Sequence, residues 1–157
     1  MDPWLIVVLV LVAGVAVLVA RRQRTKNARV RRDRAMAEFE SRLPALGGVF
    51  LEAASRTGKP RGLRWAGCRF EGDPLFAVDR ANGDLYALVN VTVSFSAIEG
   101  GGMEEVEAVG NLRAATAVFI HRAGDWSTDG RVVFNLNPDE ALNHYRDSLS
   151  PVESDPS

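Results

Sequence analysis

The chain of 157 residues is about one domain long, and its formal net charge of −1 conceals three segments of different character. Residues 1–20 carry one acidic residue, residues 21–34 carry eight basic residues and one acidic residue, and residues 35–157 carry 11 basic and 18 acidic residues, a net charge of −7. Cys68 is the only cysteine, which excludes an intramolecular disulfide and with it a secreted disulfide scaffold. We interpret Cys68 as a buried structural residue rather than a reactive thiol.

The first segment, residues 1–20, predicts a transmembrane anchor. Residues 3–20 contain no charged side chain and are dominated by Leu, Ile and Val. As a helix they would extend about 27 Å, enough for a hydrocarbon layer of about 30 Å when the flanking side chains snorkel. Trp4 is the expected membrane-interface anchor, because its amphipathic ring suits the headgroup layer. A cleaved signal peptide is the alternative, but such a peptide begins with its positive charges, whereas here they follow the apolar run.

The second segment, residues 21–34, predicts the orientation of the anchor. Lys and Arg beside a membrane span are retained on the cytoplasmic side. We therefore expect a single-pass protein of the cell membrane, with its amino terminus outside and its domain in the cytoplasm. The anionic inner leaflet is the expected partner of these cations, and nucleic acid is not expected, because no aromatic residues lie between them. The membrane-surface residues, named here the basic collar, are Arg21, Arg22, Arg24, Lys26, Arg29, Arg31, Arg32 and Arg34.

The third segment predicts a small α+β domain over residues 35–149, with about five antiparallel strands in a meander packed with flanking helices. A polar tail follows at residues 150–157. Helical spacing of apolar residues covers residues 28–43. Pro44 is expected to end that helix or to begin a second one that runs to residue 56, because proline is tolerated only in a first turn.

The stretch "FAVDRANGDLYALVNVTVSF" predicts a β-hairpin. Asn82 and Gly83 accept the positive φ angles of a two-residue turn, which would pair Val78 with Ala87. The alternation over residues 85–96 predicts a buried face and a mostly wet one. An earlier strand is expected over residues 63–70, and a second hairpin around "AGDW".

The sequence "NPDEALNHYRDSL" predicts the final helix. Asn137 is the expected cap, Pro138 stands at the first helical position, and the following acidic residues face the positive end of the helix dipole. Leu142, Tyr145 and Leu149 are expected to dock this helix on the sheet.

Two surfaces are candidates for binding a protein partner. One is the glutamate-rich loop after the second strand of the hairpin, and the other is the polar row on the wet face of the sheet. Because the domain is acidic, a basic partner is favoured, although its identity stays open. The possible partner-binding residues are Glu99, Glu104, Glu105, Glu107, Asn90, Thr92 and Ser94.

The sequence provides no recognisable catalytic set, and we expect no cofactor and no metal site. Glu140 and His144 share a helical face but lack a third ligand at a suitable spacing. A cavity between the sheet and the helices is the alternative source of a binding or catalytic site. Its possible lining residues are Trp65, Trp126, His121 and Tyr145.

The segments "GKPRGLRW", "EAVGNLRAATAVF" and "GRVVFNLNP" resemble parts of small uncharacterised bacterial membrane-anchored proteins. The resemblance covers about the last 100 residues and implies no activity. The sequence thus favours a membrane-tethered cytoplasmic interaction or adaptor domain. Two alternatives stay open: a small-ligand-binding or enzymatic domain, and a purely structural role of the anchor in the membrane.

Overall fold

The computed structural model describes residues 3–57, 62–103, 105 and 112–152. The protein is α+β, as predicted, and it divides into two compact units, Met1–Ala37 and Glu38–Ser157. The elements are α1 (Pro3–Thr57), β1 (Leu63–Asp79), β2 (Leu85–Ala97), β3 (Arg113–Arg122), β4 (Asp125–Ser127), β5 (Val132–Phe134), α2 (Pro138–His144) and β6 (Leu149–Pro151).

The first unit consists of the amino-terminal part of α1. By its length and composition this helix can cross a membrane once, and none of its most apolar 18-residue window is buried. Leu9 is 73% exposed and Leu18 is 61% exposed. An exposed apolar surface of this size is typical of a membrane-spanning or partner-binding segment.

Within the second unit, α1 buries one stripe of side chains. Phe39 and Phe50 are fully buried, and Leu46 and Ala54 lie on the same face. The predicted helix end or restart at Pro44 was wrong, because α1 continues through it. Proline removes one helical hydrogen bond, and the buried phenylalanines on both sides of it hold the helix to the sheet.

The sheet is antiparallel throughout, with strand order β4-β3-β2-β1-β6 and with β5 paired to β3. It has six strands where about five were predicted. β1 runs unbroken through "EGDP", with a register shift between Glu71 and Leu75, whereas the sequence predicted two separate strands. The three-residue strands β4 and β6 were not predicted, and β4 occupies the expected turn around Trp126.

The turn between β1 and β2 is wider than predicted. Val78 pairs with Leu85 rather than with Ala87. The Asp79 carboxylate accepts hydrogen bonds from the backbone N–H groups of Ala81 at 2.7 Å and Asn82 at 3.2 Å, which stabilises a wider loop. The predicted register was therefore wrong by two residues. A shift of two leaves each side chain on its expected face.

Both faces of the sheet carry a helix. On the α1 face, the ring of Phe39 lies 5.8 Å from that of Phe76, 5.4 Å from that of Phe119 and 4.6 Å from that of Trp126. On the opposite face, Leu88, Val118 and Ala141 of α2 form a second buried cluster. The face predicted to be mostly wet is therefore covered in part by α2.

The predicted start of α2 is confirmed. The Asn137 side chain accepts from the Glu140 backbone N–H at 2.9 Å, and the Glu140 carboxylate accepts from the Asn137 backbone N–H at 2.9 Å, which is a complete capping box. The helix ends at His144, earlier than predicted, and Leu149 is buried in β6 rather than on the helix. Ser150 and Pro151, expected in the polar tail, also belong to β6, and residues 153–157 lie outside the described residues.

The segment between β4 and β5 approaches α1 closely. Gly130 has a φ of +77°, and a Cβ atom there would lie 2.2 Å from the backbone nitrogen of Ala54. The Thr128 hydroxyl donates to the Val118 carbonyl at 2.9 Å and accepts from the Gly130 N–H at 3.0 Å. Only glycine fits this contact between the sheet edge and the helix.

We predict that Gly130→Ala lowers the free energy of unfolding by about 3 kcal/mol or more, because it combines backbone strain with a clash against α1. Gly124→Ala is the matched control, since Gly124 has a φ of +88° and a Cβ atom there would meet nothing within 4 Å. It should cost about 1 to 2 kcal/mol from strain alone. Urea denaturation of both variants measures the difference, and equal losses would contradict the close contact.

Candidate functional site

The basic collar lies on α1, where seven of its side chains are exposed and Arg32 is half-buried. A helix turns by about 100° per residue, so the eight positions are distributed around the whole circumference rather than along one stripe. Trp4 is 79% exposed. A ring of cations at one end of an apolar helix suits a plane of anionic headgroups.

The structure does not gather the predicted partner-binding residues into one surface. Asn90 is exposed in the middle of β2, and Thr92 and Ser94 follow on the same face, half-buried. β2 ends at Ala97, seven positions after Asn90, so the distance along the strand from Asn90 to its end is about 23 Å. Beyond that end, Glu99 and Glu105 are exposed, and Glu104 and Glu107 lie outside the described residues.

The predicted cavity residues also lie in separate places. The rings of His121 and Trp126 are in contact, with centroids 5.2 Å apart. Trp65 packs instead against Phe95, at a distance of 4.9 Å, and against Phe134. Tyr145 caps the carboxyl end of α2 on the opposite face of the sheet. Of the four, only His121 and Trp126 come together.

One concavity of the second unit is a groove between α1 and the outer side of β1. Its volume is about 570 Å³, and it is open to solvent. On the α1 side, the groove is bordered at Gly47 and Gly48 by helix backbone that carries no side chains. We name it the edge groove, and its lining residues are Glu40, Leu43, Pro44, Gly47, Gly48, Leu51, Gly67, Cys68 and Phe70.

Cys68 lies on the β1 side of the edge groove and is half-buried rather than fully buried. Its Sγ atom lies 3.9 Å from the carbonyl oxygen of Gly47. Burial raises the pKa of the Cys68 thiol, which keeps it protonated at neutral pH. This agrees with a structural rather than a nucleophilic role.

A second, more enclosed concavity of about 270 Å³ lies on the α2 face of the sheet. Its lining combines apolar side chains with two phenol rings and two charged side chains. Burial raises the pKa of Tyr86, and the nearby Asp79 carboxylate acts in the same direction. We name it the tyrosine pocket, and its lining residues are Asp79, Tyr86, Leu88, Val118, Arg131, Tyr145, Ser148 and Leu149.

Of the four residues predicted to line a cavity between the sheet and the helices, Tyr145 lines the tyrosine pocket, and Trp65, Trp126 and His121 line neither concavity. The sequence does contain one indication of the edge groove, the adjacent Gly47 and Gly48. Two glycines weaken a helix, so their presence indicates a place where the helix surface lacks side chains for a structural reason. The tyrosine pocket had no such signal, because β6 supplies Leu149 through a strand that the sequence did not indicate.

The described residues contain no group of three or more His, Cys, Asp and Glu side chains that could hold a metal ion. The Glu140 carboxylate, considered with His144 as a weak ligand pair, accepts the Asn137 backbone N–H in the capping box. Its position is therefore set by helix capping.

No family model, curated protein or solved structure matches the chain significantly. The resemblance to small membrane-anchored proteins stays a prediction, and the function is inferred from the geometry alone.

We predict that Tyr86→Phe makes the protein less sensitive to alkaline unfolding. The folded pKa of Tyr86 lies above its ordinary value of 10.0, so the unfolded chain releases this proton first. The unfolding free energy therefore falls as the pH rises above about 10. Urea denaturation between about pH 8 and about pH 11 should give a shallower fall for Tyr86→Phe than for the native chain. Tyr145→Phe is the control, and an unchanged slope for Tyr86→Phe would contradict the effect of burial.

Proposed function

We propose that the protein is a single-pass, membrane-tethered domain that binds a protein partner at the cytoplasmic surface of the cell membrane. The observation that carries this proposal is the combination of an unburied apolar helix with a full ring of cations at its end. Apolar side chains favour the hydrocarbon layer, and the cations favour the anionic inner leaflet.

A binding role is favoured because many polar groups of the second unit are already engaged in holding its structure. Asp79 stabilises a turn, and Glu140 completes the capping box of α2. Asp84 accepts from the Arg122 guanidinium at 2.8 Å, and Arg42 of α1 forms an ion pair with Asp125 of β4. Catalytic acids and bases, in contrast, need access to a substrate.

A small-ligand-binding role is the second candidate, and the tyrosine pocket is the observation that favours it. The pocket is more enclosed than the edge groove, and its lining combines Tyr86 and Tyr145 with the apolar residues Leu88, Val118 and Leu149. A screen of common metabolites should then raise the melting temperature of the native protein but not of Tyr86→Ala. No shift with any of them would count against this candidate.

The orientation of the anchor is tested with Asp2→Cys in a Cys68→Ser background. We expect an impermeant maleimide to label residue 2 in intact cells, because the positive charges of the collar are retained inside. Arg80→Cys in the same background is the control for the domain side, since Arg80 is exposed in the β1–β2 loop. It should be labelled only after the cells are permeabilised.

The reverse labelling pattern would overturn the proposed orientation. Recovery of the protein in the soluble fraction, with full labelling of Arg80→Cys before permeabilisation, would overturn the tether itself.

A further inference from the structure

The outer edge of β1 is covered by a strand only at one end. On its inner edge β1 pairs with β2 from Leu63 to Val78. On its outer edge it pairs with β6 only from Ala77 to Asp79, and the Val152 N–H donates to the Phe76 carbonyl at 3.0 Å. Within the described residues, no strand lies beside the outer edge of Gly67–Glu71. A strand edge of this kind presents main-chain donors and acceptors to an incoming chain.

The segment Gly67–Glu71 is regular, although irregularities flank it. Its five residues pair in continuous register with Ser94 through Asn90 of β2. Register shifts occur between Trp65 and Gly67 and between Glu71 and Leu75. Bulges commonly protect exposed edges from unwanted pairing. Here they leave an extended stretch of about 17 Å between them, long enough for five residues of an added strand.

The edge groove lies along this stretch. Phe70 and Cys68 form one side, and Gly47 and Gly48 form the wall on α1. A Cβ atom at Gly48 would meet nothing within 4 Å, so open space faces this residue. An extended chain placed beside β1 would direct every second side chain towards α1 and into the groove.

The same edge already accepts a strand elsewhere. β6 adds to it in antiparallel orientation, with Ala77 opposite Pro151 and Asp79 opposite Leu149. The backbone of β1 is therefore compatible with a strand partner on this side of the sheet, and the stretch next to the groove offers the same kind of edge to another chain.

We propose that the edge groove and the outer edge of Gly67–Glu71 are the docking site for an extended peptide segment of a partner protein, which adds to the sheet as a strand beside β1. Main-chain hydrogen bonds supply affinity, and alternate side chains supply specificity. Leu43 and Leu51 make the groove apolar and favour apolar side chains, and Glu40 at the groove favours a basic residue. The identity of the occupant as a protein rests on the proposed function.

The test uses the full chain in phospholipid nanodiscs and a display library of random eight-residue peptides. Gly48→Leu fills the open space of the groove. Ala45→Leu is the matched control, because Ala45 is exposed on α1 and does not line the groove. We expect enriched peptides to bind the native chain and Ala45→Leu alike and to bind Gly48→Leu at least about tenfold more weakly. Equal melting temperatures of the two variants show that both are folded.

The main-chain contribution is tested with two N-methylated versions of the best peptide, one methylated at odd and one at even amides. Only alternate N–H groups of an added strand face β1. One version should therefore lose about tenfold or more in affinity, as expected for the loss of two or three hydrogen bonds, while the other changes little. Failure to enrich any peptide, insensitivity to Gly48→Leu, or equal effects of the two methylation patterns would overturn the docking site.

These outcomes are separate from those of the membrane proposal. Peptide binding in nanodiscs does not depend on which side of a cell membrane the domain occupies. Strand-like binding together with reversed labelling of Asp2→Cys would support the docking site and overturn the cytoplasmic role. Labelling of Asp2→Cys in intact cells without strand-like peptide binding would support the cytoplasmic role and overturn the docking site.

Discussion

The packing of α1 against the aromatic face of the sheet is the interaction on which the second unit depends. Phe39 contacts rings from β1, β3 and β4, and Phe50 contacts Phe70 at 5.6 Å and Phe119 at 5.8 Å. Each buried phenylalanine contributes about 2 to 3 kcal/mol through burial alone. Because the same rings join three strands to one helix, their packing determines where α1 lies on the sheet.

Two glycines allow this helix to lie close to its neighbours. A Cβ atom at Gly47 would lie 3.0 Å from the Phe70 ring, and one at Gly130 would overlap the backbone at Ala54. Between these contacts, Gly48 faces open space. The lack of side chains at Gly47 and Gly48 therefore leaves room for the edge groove on the α1 side. A helix with larger residues here would close the groove or move away from β1.

The sequence predicted the features that depend on local patterns. The alternation along β2 identified Ala87, Val89 and Val91 as buried, and the capping box was visible in "NPDE". The register of the hairpin was not predictable, because it depends on hydrogen bonds from the loop to the Asp79 carboxylate. The continuation of α1 through Pro44 depends on tertiary packing, which outweighs the local cost of a proline.

The candidate sites were harder to predict than the fold, because they form between elements that are distant in sequence. The edge groove joins Gly48 of α1 to Phe70 of β1, and the tyrosine pocket joins Tyr86 of β2 to Leu149 of β6, on the far side of β1. Three-residue strands such as β6 carry too few residues for an alternation to be recognised. The predicted polar row of Asn90, Thr92 and Ser94 does lie on one face, but it lines neither the edge groove nor the tyrosine pocket.

The most direct measurement is photo-crosslinking in living cells. A photoreactive amino acid replaces Glu40, beside the edge groove. In a second variant it replaces Arg80 in the β1–β2 loop, which is the reference position. We predict a discrete protein adduct in the membrane fraction from position 40, lost when Gly48→Leu is added, and no such adduct from position 80. Identical adducts from both positions, or an adduct from position 40 that persists with Gly48→Leu, would contradict the claim that the tethered domain binds its partner through the edge groove.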